Sequence, residues 1–157
     1  MLDYIKIILL LTICFVIIFT LFKLRSKKIN RDERKLLLSS LIVTIFLALI
    51  IELKPHHMLR AIFNIPNTIT YMLYFVTVGF YFLIFKKILV RFKYILIIIS
   101  FMFFGMANAV DLLSDAKLID FNYIEILENI FHVLGIIFWL LFFVDYSDLL
   151  KRNTNNY

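Results

Sequence analysis

The sequence predicts an all-α fold, a multi-pass integral membrane bundle of five transmembrane helices. The 157 residues are 63% hydrophobic and 17% aromatic, with a mean hydropathy of +0.95. They divide into five apolar segments, each close to the roughly 20 residues that one bilayer crossing needs. Because no polar stretch is long enough to bury a core of its own, we expect residues 1–157 to form a single transmembrane domain.

The first two crossings are predicted over residues 4–24 and 36–53. Neither segment contains Pro or Gly, so both should be continuous helices. Asp3 and Lys6 lie at the start of the chain and no small-residue cleavage site follows, so we expect a retained anchor rather than a signal peptide. Cys14 is the single cysteine of the sequence, which excludes an intramolecular disulfide.

The loop between these crossings, residues 23–35, reads KLRSKKINRDERK and is strongly basic. In a soluble protein the formal net charge of +6 would indicate nucleic-acid binding. Here the basic residues stand between apolar segments, so we expect them to contact anionic lipids at the membrane surface and no nucleic acid.

The next segment predicts a short interfacial helix between Pro55 and Pro66, where apolar residues recur at helical spacing. It includes His56 and His57, whose rings would diverge by about 100° on a helix and so could not easily bind one ion together. The remaining three crossings are predicted over residues 69–85, 94–110 and 124–146.

The distribution of charge predicts the orientation of the bundle. The connections that follow the first, third and fifth crossings hold most of the 17 Lys and Arg residues. By the positive-inside rule, the N-terminus is then outside and the C-terminus cytoplasmic, in a cell membrane. This orientation places the acidic residues of the last connection on the extracytoplasmic side.

The only candidate chemistry lies around that last connection. Its five carboxylates are Asp111, Asp115, Asp120, Glu125 and Glu128. Asp120 is expected to cap the start of the fifth crossing, and proximity to this helix N-terminus explains part of the acidic charge.

One histidine in this region is not explained by helix capping. Glu125, Glu128, His132, Gly135 and Trp139 fall on one stripe of the fifth crossing. Inside a crossing, the imidazole of His132 needs a partner. The simpler hypothesis is a hydrogen bond with Glu128. The alternative is an ion or proton site, with a divalent cation as the candidate cofactor. Its predicted ligands are Asp111, Asp115, Glu125, Glu128 and His132.

Small residues are predicted to bring the last two crossings close together. Gly105 and Ala109 follow a small-xxx-small spacing on the fourth crossing, and Gly135 lies on the fifth. Two short-linked antiparallel helices could then face their polar stripes toward each other.

The runs FGMANAVDLLSD and IEILENIFHVLGIIFWLLFF resemble the last helical pair of bacterial membrane-embedded sensor input modules. These modules are fused to diguanylate cyclases or histidine kinases. The matching positions are Asp111, Asp115, Glu125, Glu128, Asn129 and Gly135. Such modules usually continue into an output domain, whereas this sequence ends with LLKRNTNNY. The resemblance therefore implies a stand-alone sensor module or accessory subunit of the bacterial inner membrane.

We therefore expect a small, non-enzymatic, sensor-like membrane module that acts through a membrane protein partner or a second copy of itself. No dense histidine motif, Gly-rich phosphate loop or GxSxG elbow indicates an enzyme. The alternative is cation or proton translocation by an oligomer, with Glu52, Glu128 and His132 as relay groups. The cytoplasmic halves of the crossings carry almost no ionisable residue, which disfavours this alternative.

Overall fold

The protein is helical throughout the part that its structure, a computed structural model, describes: residues 2–23, 30–53, 55–64, 66–90, 94–115 and 123–155. The helices are α1 (Leu2–Lys23), α2 (Arg31–Leu53), α3 (Pro55–Phe63), α4 (Asn67–Leu89), α5 (Tyr94–Asp115) and α6 (Ile124–Asn155). Of these, α1, α2, α4, α5 and α6 are long and apolar enough to cross a membrane. The predicted all-α class and the five long apolar helices are thus confirmed.

Two asparagines set helix boundaries. The side-chain oxygen of Asn30 accepts a hydrogen bond of 3.3 Å from the backbone N–H of Asp32, so Asn30 caps α2. Helix α2 therefore starts at Arg31, ahead of the predicted crossing. After α3, Asn64 takes a left-handed conformation with φ of 56°, and its N–H donates to the carbonyl of Arg60 at 3.1 Å.

The last two helices run further than their apolar segments. Helix α5 continues to Asp115, so Asp111 lies on a helix rather than in a loop. Helix α6 continues to Asn155, where the sequence predicts an end near residue 146. Lys151 donates to Asp148 at 2.7 Å from one turn further along, which stabilises the polar end of α6.

Helix α6 lies at the centre, packed against α5 and α1. Ser100 on α5 donates to the carbonyl of Gly135 at 2.7 Å, and Thr20 on α1 bonds Ser147 at 2.7 Å. Helices α1, α4 and α6 run in one direction, and α2 and α5 run in the other. We call the end where α1, α4 and α6 begin the carboxylate end, and the opposite end the basic end.

Close packing of α5 and α6 depends on Gly135. A Cβ atom built at this position would lie 2.8 Å from the ring of Phe104, closer than real contacts allow. At Gly105, by contrast, an added Cβ would meet nothing within 4 Å. The predicted role in helix packing therefore applies to Gly135, while Gly105 leaves open space beside α5.

Hydrogen bonds at the middle of the bundle join three helices through four buried side chains, which we call the central network: Ser40, Thr44, Tyr81 and Trp139. The indole N–H of Trp139 donates to Thr44 at 2.9 Å, and the hydroxyl of Tyr81 bonds that of Ser40 at 2.7 Å. Aromatic rings of α4, α5 and α6 surround it, including Phe101, whose centroid is 5.2 Å from that of Trp139. The network holds α2, α4 and α6 together.

Candidate functional site

Glu128 and His132 lie side by side near the start of α6. They are one helical turn apart, and their exposed fractions are only 7% and 8%. The Nδ1 atom of His132 is 3.8 Å from the Oε1 atom of Glu128. This separation suits an ion pair when the imidazole is protonated, but it is longer than a hydrogen bond. The two side chains therefore attract each other electrostatically whenever the imidazole carries a proton.

The buried stripe of α6 begins at Glu128. Gly135 and Trp139 continue it into the bundle, as the helical periodicity predicts. Glu125, which the sequence places on the same stripe, is exposed. Of the two acidic residues predicted on α6, only Glu128 is thus held inside the protein next to His132.

Asp111 on α5 is half-buried and accepts a hydrogen bond from the hydroxyl of Tyr71 on α4. The sequence pattern gives no indication of this role for Tyr71. This contact places the Asp111 carboxylate between α4 and α5 and ties these two helices together at the carboxylate end.

A cavity of about 310 Å³ opens in the carboxylate half of the bundle, between α2, α4 and α5, and His132 of α6 forms part of its wall. Its polar lining residues are Tyr71, Tyr74, Asn108 and His132, and the others are apolar. The cavity thus brings together Asn108 of α5 and His132 of α6 with tyrosines of α4.

Lys6 is a buried cation at the same end of the bundle. It is 3% exposed, and its Nζ atom donates to the side-chain oxygen of Asn129 at 2.8 Å. It also pairs with Asp3 at 2.7 Å. The sequence signal was a Lys within an apolar helix, one turn after an Asp, which predicts an inward polar contact. The contact fixes α1 against α6 beside Glu128.

Helix α4 carries a second feature that sequence analysis missed. Its polar residues Asn67, Thr70, Tyr71, Tyr74 and Tyr81 recur at helical spacing and lie on one face. The hydroxyls of Thr70 and Tyr74 are buried without a hydrogen-bond partner in the described part of the chain. The same periodicity test that singled out α6 would have found this face.

Within the described residues, no three His, Cys, Asp or Glu side chains are placed to hold a metal ion. Some of the predicted residues could not enter this search. Asp120 and the side chains of Asp115, Glu52, His56 and His57 lie outside the part of the chain that the structure describes. The ion site therefore stays a prediction, and the observed pair of Glu128 and His132 is its best-placed part.

A family model described as a domain of unknown function, DUF8692, matches residues 6–146. Neither the curated proteins nor the solved structures contain a significant match to the chain.

Proposed function

This chain belongs to the family described as domain of unknown function (DUF8692), and because that description assigns no activity, we propose a function from the site itself. The protein is a sensor-like membrane module. Occupancy of the site at Glu128 and His132, by a cation, a proton or a small ligand, shifts α6 and signals to a partner protein in the membrane.

Insertion into a membrane is supported by the outer surface of the bundle. Large apolar side chains face outward along the five long helices, as shown by Phe15, Phe75 and Leu83 with exposed fractions of 67%, 81% and 71%. In water, so much exposed apolar surface would be unfavourable. The bias of Lys and Arg toward the basic end supports a cytoplasmic location for that end.

One observation carries the proposed sensing role: His132 contacts both its charge partner and the cavity. Its Nδ1 atom lies 3.8 Å from Glu128, and its ring forms part of the cavity wall. Any group that enters the cavity and changes the charge or position of His132 changes its attraction to Glu128. A buried charge pair responds strongly to such a change because little solvent screens it.

Helix α6 gives the site a route to the other side of the membrane. Its 32 residues span about 48 Å at 1.5 Å per residue, against about 30 Å for the hydrocarbon core. The site is near its first turns, and its last turns extend beyond the apolar segment. A shift at His132 would therefore move the exposed end of α6 as one rigid element.

Ion or proton translocation, the alternative, has less support. A proton that leaves His132 toward the basic end would have to cross the central network. There Thr44 donates its hydroxyl proton to the carbonyl of Ser40, and Ser40 donates to the carbonyl of Leu36. These hydroxyls are engaged with the backbone, which favours a structural role.

The test measures movement at the basic end. Spin labels are placed on α2 and α6 through Arg31→Cys and Arg152→Cys in a Cys14→Ser background, since both arginines are exposed. We expect the distance between the labels to change when zinc, copper, manganese or calcium is added, or when the pH moves between about 5 and 8.

Matched variants connect this movement with the site. Glu128→Gln and His132→Gln should abolish the response, and isothermal titration should show lost binding of any cation that the unmodified protein binds. Asp145→Asn makes the same change from carboxylate to amide on an exposed residue of α6 that is not a predicted ligand, and it should respond normally. An unchanged response in Glu128→Gln, or no movement under any of these conditions, would sink the proposal.

A further inference from the structure

Two small residues of α5 hold the cavity beside His132 open. Gly105 and Ala109 both line it, and both are exposed on the flank of the bundle. Since a Cβ atom at Gly105 would meet nothing within 4 Å, this glycine is not needed for helix packing. A larger side chain there would occupy the cavity.

Aromatic rings make up much of the cavity wall. Tyr71, Tyr74 and Phe75 line it from α4, opposite the small residues of α5, and Phe101 and Phe104 line it from α5 itself. A volume of about 310 Å³ is enough for a small ligand. Aromatic rings pack favourably against another ring in stacked or edge-on geometry. The walls therefore favour a ring-shaped ligand over a flexible chain.

Polar groups on the walls can bind an oxygen atom of such a ring. Asn108 and His132 line the cavity with groups able to donate hydrogen bonds. Tyr74 adds a hydroxyl that is buried without a partner in the part of the chain that the structure describes. An unsatisfied buried hydroxyl is unfavourable, so a ligand acceptor near this wall would be stabilised.

The approach to the cavity is apolar. Its exposed lining residues, Phe75, Gly105 and Ala109, lie well inside the lengths of α4 and α5 rather than at their ends. If these helices span the membrane, the opening faces lipid. A ligand that reaches it must therefore be soluble in the bilayer.

We propose that this cavity binds a lipid-soluble ring compound that carries a hydrogen-bond-accepting oxygen, with the chemistry of a quinone. The inference rests on the proposed function, because His132 is the group through which the bound ring would affect Glu128 and α6. It names the ligand class that the sensing site takes.

Trp139 provides the readout, because it is the only tryptophan of the chain and its ring packs 5.2 Å from Phe101 of the cavity wall. The protein in lipid nanodiscs is titrated with a benzoquinone that carries a decyl chain, since quinones quench tryptophan fluorescence. We expect saturable quenching. Gly105→Leu should weaken the apparent affinity at least tenfold, and Ala109→Val provides a second, smaller block.

Gly79→Leu is the matched control: it makes the same substitution on α4 at a residue that does not line the cavity and where an added Cβ also meets nothing within 4 Å. It should bind as the unmodified protein does. Quenching that never saturates, or that persists unchanged in both Gly105→Leu and Ala109→Val, overturns the inference. So does a brominated fatty acid that quenches saturably and displaces the quinone, because the cavity would then accept chains.

The spin-label distance separates this inference from the proposed function. Saturable quinone binding without any change in the distance supports the cavity assignment and counts against the sensing role. A distance change driven by zinc or pH, in a protein that binds no quinone, supports the sensing role and overturns the ligand class.

Discussion

The cavity at the carboxylate end and the central network differ in how their polar groups are satisfied. In the central network, Trp139 donates to Thr44 at 2.9 Å and Tyr81 bonds Ser40 at 2.7 Å, and all four side chains are buried. At the carboxylate end, the hydroxyl of Tyr74 has no partner among the described residues. There the polar side chains border a cavity instead of filling the interior.

Polar groups that bond one another hold helices together, whereas polar groups that border a cavity are available to a ligand. Mutually satisfied groups hold three helices in one arrangement, and a ligand could add nothing to them. Glu128 and His132, 3.8 Å apart and beside the cavity, attract each other only while the imidazole is protonated, so their interaction depends on the charge of His132. Burial alone does not distinguish the two regions, because Glu128 and Thr44 are both buried.

The largest expected effect comes from replacing a glycine by leucine at two places beside α5: at Gly135 of α6, which packs against α5, and at Gly105 of α5, which borders the cavity. Gly135→Leu should lower the free energy of unfolding by about 3 kcal/mol, because an added Cβ already falls 2.8 Å from Phe104. Gly105→Leu should change it by less than about 1 kcal/mol, because it adds atoms to the cavity. Unfolding in mixed micelles, followed by Trp139 fluorescence, measures both. If both variants lost the same free energy of unfolding, α5 would be tightly packed on its cavity side as well as against α6.

The second prediction tests whether the hydrogen bonds of the central network stabilise the bundle. Thr44→Val keeps the side-chain shape but removes the acceptor for the indole N–H of Trp139. We expect a loss of about 2 kcal/mol in the free energy of unfolding, because a buried donor is left unsatisfied. The same unfolding measurement applies.

Thr77→Val is the control for this prediction. Thr77 is exposed, and its hydroxyl donates to the carbonyl of Leu73 within its own helix. Its replacement should stay within about 0.5 kcal/mol of the unmodified protein. If Thr44→Val also stays within that range, the network does not stabilise the bundle.

The third and smallest effect compares two tyrosines of the same helix face. Tyr81→Phe removes the hydroxyl that bonds Ser40 and should cost about 1 kcal/mol of unfolding free energy. Tyr74→Phe removes a hydroxyl without a partner among the described residues, so it should leave stability unchanged or slightly raised. Equal and substantial losses for the two variants would show that Tyr74 is also part of a satisfied network.

Tyr74→Phe and Tyr81→Phe should also differ in quinone affinity, which distinguishes the cavity from the central network. The inferred quinone site includes Tyr74 and excludes Tyr81, which does not line the cavity. Tyr74→Phe should therefore weaken quinone binding severalfold, while Tyr81→Phe should bind normally once folded. The opposite pattern would place the ligand near the central network instead of beside His132.

Periodicity and hydropathy predict much of this architecture. The five apolar segments, the short helix after Pro55 and the inward stripe from Glu128 to Trp139 each follow from local sequence. The stripe predicts which side of α6 turns inward, but it does not predict that Glu125 stays exposed. Whether a residue in the first turn of α6 is covered depends on where the neighbouring helices end, which local sequence does not give.

Local sequence is enough to predict the helices, because apolar length and 3.6-residue periodicity act within one segment. It is also enough to predict that Glu128 and His132 are neighbours, since they are four residues apart on one helix. Three results depend on the packed bundle: Tyr71 reaches Asp111, Lys6 reaches Asn129, and Gly105 borders a cavity while Gly135 packs against a ring. These contacts join different helices, and the rotation and spacing of packed helices depend on all their side chains together.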